Sequence, residues 1–189
     1  MNLVLTSERL LLRPFAETDV DVEVEIGTDP EIMKYVGAVE TEDQIIRNMA
    51  KYTRRCADGC IGVWCVIERA TNEKLGTAIL LPLPIDEADT NWHLVAGEGL
   101  PEGDIEIGYM LRKPAWGKGY ATEVCRRLLK FAFEETPLEE IVAVTDPNNT
   151  ASQHVLEKCG LPFDGMRRAY GEQCTGYRIT RRQWREQTV

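Results

Sequence analysis

The chain has 189 residues, 43% of them hydrophobic and 28% charged, with 31 acids against 22 bases and a formal charge of −9. A single domain spanning residues 1–189 can bury roughly 70% of its extended surface at this length, which excludes disorder and a disulfide-stapled miniature. The acidic total argues against a phosphate-reading nucleic-acid surface.

Arg9 to Phe15 is a short apolar run stopped by Pro14 and reads as a first strand. Asp19 to Ile26 is ambiguous. Strict alternation favours a half-buried strand, whereas an N-cap at Thr18 or Asp19, acids in the first turn and the i, i+4 pairs Val20/Val24 and Val22/Ile26 favour a helix. Asp29-Pro30-Glu31 opens a short helix to Lys34, and Glu42 to Arg55 carries Ile45, Ile46, Met49 and Tyr52 at helical spacing before Asp58-Gly59. Cys60 to Glu68 and Lys74 to Leu83 form a hairpin of strands. Leu83 to Gly103, rich in Pro and Gly and holding Trp92-His93, is too long for a turn and belongs to the class of functional loops. Asp104 to Leu111 alternates as a strand, Tyr120 to Phe133 is helical, Glu140 to Thr145 is a buried strand, and Asn149 to Lys158 is a helix closed by Gly160. Pro162 to Tyr170 and Gly176 to Arg181 finish the chain as strands, and the order predicts a mixed α/β sheet.

Cys56, Cys60, Cys65, Cys125, Cys159 and Cys174 form no CxxC pair, and His93 and His154 are the only imidazoles, so no metal is expected. The start MNLVLTSERLLL lacks a signal-peptide pattern and no run approaches about 18 apolar residues, which points to a cytoplasmic protein off the membrane.

Charge is placed unevenly. From Glu17 to Glu31 seven acids stand with no Lys or Arg between them, and seven more do so from Asp86 to Glu106. Arg112 to Lys130 is the reverse, with Arg112, Lys113, Lys118, Arg126, Arg127 and Lys130 against Glu123. Within that basic stretch lies Trp116-Gly117-Lys118-Gly119-Tyr120-Ala121-Thr122-Glu123, between a predicted strand and a predicted helix. Two glycines there serve either a tight strand-to-helix turn or a loop whose amides face one anion at the positive end of the helix. Lys118 inside the loop favours the second reading. A Walker A loop is excluded because no GK[ST] follows, and a dinucleotide GxGxxG fails because Thr122 stands at its third glycine.

This loop resembles the acyl-CoA-binding loop of the GNAT N-acyltransferase superfamily, with pattern [QR]xxGx[GA]. Gly119 and Ala121 match its small residues and Trp116 replaces the Gln or Arg, as in the subgroup related to ribosomal-protein N-terminal (alanine/serine) acetyltransferases. The phrases SERLLLRPFAETD, DPEIMKYVG, EIGYML and NNTASQHVLEKCGL follow in that subgroup's order. The resemblance implies a GNAT fold: a mixed sheet of about seven strands, splayed at the acyl-CoA site and flanked by helices. It implies acetyl-CoA as co-substrate, with Met110 and Leu111 contacting the pantetheine arm through their backbone. Trp116, Gly117, Lys118, Gly119, Tyr120, Ala121 and Thr122 would hold the pyrophosphate, and Asn149, also a plain helix N-cap by position, would reach the cofactor.

The implied reaction is direct transfer of an acetyl group to a primary amine, on a small molecule or a protein N-terminus. It needs a base, an oxyanion donor and a proton for the leaving thiolate. Glu106 matches the family's carboxylate on the splayed strand, and a Met110 or Leu111 amide the oxyanion donor. The usual tyrosine donor falls on Leu156, leaving Ser152 or a water. The alternative is a non-catalytic acyl-CoA-binding module of the same fold. The resemblance also allows a homodimer. Tyr170 and Tyr177 are further candidates for the acceptor side, Trp92 and His93 for its loop wall, and Cys125 and Cys159 read as core. The opposed charge blocks suggest opposite fields, positive for the anionic cofactor and negative for a cationic acceptor.

Overall fold

The computed structural model describes residues 1–188. Nine strands form one sheet: β1 (Leu5–Thr6), β2 (Leu10–Pro14), β3 (Arg55–Cys56), β4 (Ile61–Glu68), β5 (Lys74–Pro82), β6 (Ile105–Leu111), β7 (Glu140–Thr145), β8 (Phe163–Ala169) and β9 (Glu172–Thr180). The order is β1-β2-β4-β5-β6-β7-β9-β8, with β3 on the edge of β4. Seven of these have five or more residues and match the expected seven; β1 and β3 are two-residue additions. Every pairing is antiparallel except β6 with β7, which is parallel and bridged at Glu106↔Val142 alone. Beyond that bridge the two strands part, so the β7-facing edge of β6 runs on towards Leu111 without a ladder. This is the splay that the fold expectation requires.

The segment after β2 resolves as helix α1 (Val20–Gly27). Its buried residues are Val22, Glu23, Ile26 and Gly27, a helical face rather than the alternating set. Asp19 fixes its start: the fully buried carboxylate accepts from the Ala16 amide at 3.0 Å and pairs with Arg13 at 2.6 Å and Lys74 at 3.1 Å. Helix α2 (Pro30–Met33) follows, capped by the Asp29 side chain, and α3 (Glu42–Tyr52) begins at a Thr41/Gln44 capping box. Val22, Ile26, Ile32 and Met33 form a small cluster against Met110 of β6, which seats these helices over the splay.

Helices α4 (Tyr120–Glu135) and α5 (Thr150–Lys158) pack on the sheet. Phe131 of α4 meets Trp64 of β4 edge to face at 5.7 Å between centroids, in the main core. Sequence pattern ends the last strand at Arg181, but the chain turns there into α6 (Arg181–Thr188). Its single large apolar residue, Trp184, packs on Phe133, too little to give a periodic signal. Arg181 donates to the carbonyls of Phe133, Thr136 and Leu138 and so ties α6 to the end of α4.

Candidate active site

The loop before α4 adopts the conformation its glycines permit. Gly117 has φ +70° and Gly119, the N-cap of α4, has φ +79°, both left-handed. A Cβ on Gly117 would meet nothing within 4 Å, so the backbone angle, not crowding, demands glycine. The amides from Gly117 to Thr122 donate to no carbonyl among the described residues, whereas the Glu123 amide closes the first turn onto Gly119 O at 3.1 Å. Free N–H groups thus collect at the positive end of a 16-residue helix, where an anion is stabilised.

Arg9 braces this loop from β2's side. Its guanidinium donates to Lys118 O at 2.9 Å and to Glu123 at 2.7 Å, and lies 4.5 Å over the Tyr120 ring. Tyr120 is buried and its hydroxyl donates to Glu68, so only its backbone faces the loop. The Trp116 indole donates to Leu111 O at 2.7 Å, tying the loop to the end of β6. A groove of about 740 Å³ beside the loop is lined by residues including Arg9, Gly119, Thr122, Arg126, Arg127 and Lys130. Lys118 and Arg126 make no ion pair among the described residues. The surroundings therefore fit a phosphorylated, elongated ligand whose chain could continue along the unladdered edge of β6.

At the other end of β6, Glu106 is 4% exposed. Burial pushes its pKa up to about 7, against the opposing pull of the Tyr170 hydroxyl and the Arg167 charge. Tyr170 OH donates to Glu106 Oε1. Tyr170 itself sits in the β8–β9 turn with φ +53°, and its amide donates to Pro84 O at 3.2 Å, so loop 83–104 and the terminal hairpin converge on this carboxylate. Burial and the neighbouring carboxylate also raise the Tyr170 pKa.

Ser152 lies at the start of α5, and its amide donates to Asn149 Oδ1 at 3.2 Å. Asn149 is thus the N-cap of α5 through its oxygen. The Ser152 hydroxyl is 3.1 Å from the Tyr109 hydroxyl. Tyr109 projects from the face of β6 opposite to Glu106, so Ser152 and Glu106 do not meet. Burial raises the Tyr109 pKa, which keeps that hydroxyl protonated.

An acetyltransferase (GNAT) domain model matches residues 9–162. The chain belongs to the GNAT acetyltransferase family. FsC-acetyl coenzyme A-N(2)-transacetylase of Aspergillus fumigatus is 30% identical over 190 residues, covering 95% of this GNAT chain and 77% of the relative. YdaF of Bacillus subtilis, named as a candidate ribosomal N-acetyltransferase, is 38% identical over 63 residues, a span of 33% of this chain and 34% of YdaF. The crystal structure of a GNAT-family acetyltransferase from Bacillus anthracis is similar at a TM-score of 0.74 and 25% identity, covering 95% of this chain and 99% of the other. Relatives of this GNAT chain are named N-acetyltransferases, and it is an enzyme of that class.

Within this GNAT chain the structure brings together Gly117 to Thr122, with Trp116 bridging to Leu111 and Met110 beside the splay, and brings Ser152 to Asn149. Of the acceptor-side candidates, Tyr170 reaches Glu106, Tyr177 is buried against Phe163, Trp92 packs on Tyr52, and His93 is exposed. Cys125 and Cys159 are buried, and no metal-holding cluster occurs among the described residues. Among the described residues no helix is long and apolar enough to cross a membrane.

The first acidic block is largely ion-paired, in part to the start of the basic stretch, which corrects the picture of two open fields. Lys113 pairs with Asp29 at 2.6 Å and Glu31 at 3.3 Å, Arg112 pairs with Glu25, and Lys74 pairs with Asp21 at 2.6 Å. Asp104 pairs with Arg167 and Arg178. Sequence reading missed one residue here. Glu23 of α1 is buried, at 8% exposure, and its carboxylate makes no hydrogen bond or ion pair. An acid among valines at helical spacing was the available signal.

Proposed function

We propose that the chain is an acetyl-CoA-dependent N-acetyltransferase that moves an acetyl group directly to a primary amine, on a small molecule or at a protein N-terminus, as one domain. The observation that carries this is Glu106: a carboxylate held almost out of water beside the splay, with a pKa near 7. A base of that strength takes a proton from an ammonium near neutral pH and returns it to solvent easily. Tyr170 OH fixes the rotamer of Glu106 and leaves the other carboxylate oxygen for the amine or a bridging water.

The amides of Gly117 to Thr122, with Lys118, hold the pyrophosphate of acetyl-CoA, and the free edge of β6 at Met110 and Leu111 receives its pantetheine arm. A Met110 or Leu111 amide polarises the thioester carbonyl. The amine nitrogen forms the new N–C bond, the C–S bond breaks, the amine proton passes to Glu106, and the thiolate takes a proton from Ser152. The Tyr109 hydroxyl, which stays protonated, orients that of Ser152, and Ser152 regains its proton from solvent.

Titration with acetyl-CoA by calorimetry, followed by thiol release across amino acids, polyamines, aminoglycosides and N-terminal peptides, tests the reading. Glu106→Gln is expected to lower kcat/KM about 100-fold or more while the acetyl-CoA Kd stays within about twofold. Binding without thiol release from any amine would make the chain a non-catalytic acyl-CoA module, and an unchanged rate in Glu106→Gln would remove the base.

A further inference from the structure

Three carboxylates are buried among the described residues: Asp19, Glu106 and Glu23. Asp19 is ion-paired twice and Glu106 accepts from Tyr170. Glu23 alone has nothing. A buried carboxylate without a partner opposes folding, and glutamine or leucine would fill the same space without the charge. Its five block-mates Asp19, Asp21, Glu25, Asp29 and Glu31 all have cationic partners, and the remaining one, Glu17, is exposed.

The groups facing Glu23 come from three segments. Glu40 precedes α3, Lys51 and Tyr52 end α3, and Asp89 belongs to loop 83–104. Lys51 is the one cation in reach, yet its Nζ is held elsewhere: 2.7 Å from Asp89, and 5.1 Å and 5.9 Å over the Tyr52 and Trp92 rings. Trp92 Nε1 also donates to Asp89 at 3.1 Å, and the two rings pack edge to face at 5.6 Å. This corner already carries an ammonium on aromatic faces, and of its carboxylates Glu23 and Glu40 have no cationic partner, Glu23 being the buried one.

Loop 83–104 links this corner to the carboxylate proposed as the base. Asp89 lies within electrostatic reach of both Glu23 and Tyr170, and the neighbouring Thr90 hydroxyl faces that of Tyr170, which donates to Glu106. One stretch of loop 83–104 therefore separates two buried glutamates.

We propose that Glu23 recognises a second positive centre on the acceptor, so that the substrates this enzyme prefers are amines bearing another ammonium besides the one acetylated. This rests on the transferase reading above. Glu106 meets the reacting amine, and Glu23, with Asp89 and the Tyr52–Trp92 rings beside it, binds the distal one. Lys51, tied to Asp89, leaves Glu23 open.

The test uses α,ω-diaminoalkanes of increasing length and matched 1-aminoalkanes, with calorimetry and initial rates on the wild type, Glu23→Gln and Asp89→Asn. At the best length the wild type is expected to bind the diamine at least about tenfold more tightly than the monoamine, a difference of one charge-assisted hydrogen bond. Glu23→Gln is expected to bring that ratio close to one and Asp89→Asn to lower it about threefold. Both variants should melt no lower than the wild type by more than a few degrees. The absence of a diamine preference in the wild type, or its survival in a folded Glu23→Gln, overturns the proposal. Thiol release reports separately: a diamine bound through Glu23 with no amine acetylated would sink the transferase reading and leave this one standing.

Discussion

Tyr170→Phe tests the coupling between the terminal hairpin and Glu106, the carboxylate proposed as the base. The substitution removes one hydroxyl and keeps the ring, and phenylalanine tolerates the left-handed φ of +53° no worse than tyrosine does. That hydroxyl donates to Glu106 and favours its ionised form, opposing the burial that pushes the pKa up to about 7. A hydrogen bond to a charged group contributes about 1.5–3 kcal/mol, and each pH unit corresponds to about 1.4 kcal/mol. The ascending limb of kcat/KM is therefore expected to move up by about one to two pH units. Near pH 7 the wild type holds about half of its Glu106 ionised, and the variant about a tenth to a hundredth, so kcat/KM falls roughly five- to fiftyfold there. Above about pH 10 the two should converge. The assay is thiol release at saturating acetyl-CoA and limiting amine. Because the acceptor titrates identically with both enzymes, the ratio of the two profiles isolates Glu106. A loss of equal size at every pH would refute the reasoning, since it would mean that Tyr170 contributes shape and not proton affinity.

Other positions give independent checks. Gly119→Ala places a Cβ at φ +79° with only Arg9 Nη2 near it, at 3.6 Å; the expected cost is about 1–2 kcal/mol of stability with a raised acetyl-CoA KM, seen by denaturation and initial rates. Arg181→Ala strands the carbonyls of Phe133, Thr136 and Leu138 and should cost about 2 kcal/mol in urea unfolding without changing the pH profile of activity. Glu23→Gln should act on stability through pH. Burial, reinforced by Glu40 and Asp89, raises the Glu23 pKa from 4.5 to about 7, so its protonated form stabilises the fold at low pH, and that stability is lost as pH rises through about 7. The variant should match the wild type near pH 4 and exceed it by up to about 3 kcal/mol above pH 8, by chemical denaturation. A pH-independent difference would contradict an unpaired carboxylate.

The parts of the fold that local chemistry dictates were legible. Gly117 and Gly119 announce a turn of fixed handedness, Asp29-Pro30 and Thr41-x-x-Gln44 announce helix starts, and the run from Glu140 to Thr145 is a strand to the residue. Asp19 to Ile26 was not, because alternation and i, i+4 spacing coincide there, and the choice depends on Arg13 and Lys74 closing on Asp19. α6 carried a Thr180/Gln183 capping pair but only one large apolar residue. In the site, Glu106 could be placed on a strand face, but the tyrosine that controls it comes from 64 residues away. Ser152 fits by spacing, yet its engagement with Tyr109 is a tertiary fact.

Charge shows most clearly how folding changes what a sequence count means. Exposed ion pairs contribute about 1 kcal/mol or less each, so the salt bridges from α1 and α2 to Arg112 and Lys113 add little to stability. Their consequence is positional. Arg112 and Lys113 sit where β6 ends and the glycine loop begins, and they pair with Glu25, Asp29 and Glu31 of the first helices. These pairs fasten the first helices to the root of the loop before α4, which is proposed to hold the cofactor. Among the described residues without an ion pair, Lys118 and Arg126 lie beside the free amides, and Glu23 is the buried one behind Asp89. The proposed selection of a cationic acceptor then rests on one carboxylate kept out of water, where salt screens charge weakly, and not on the other thirteen acids of the two blocks.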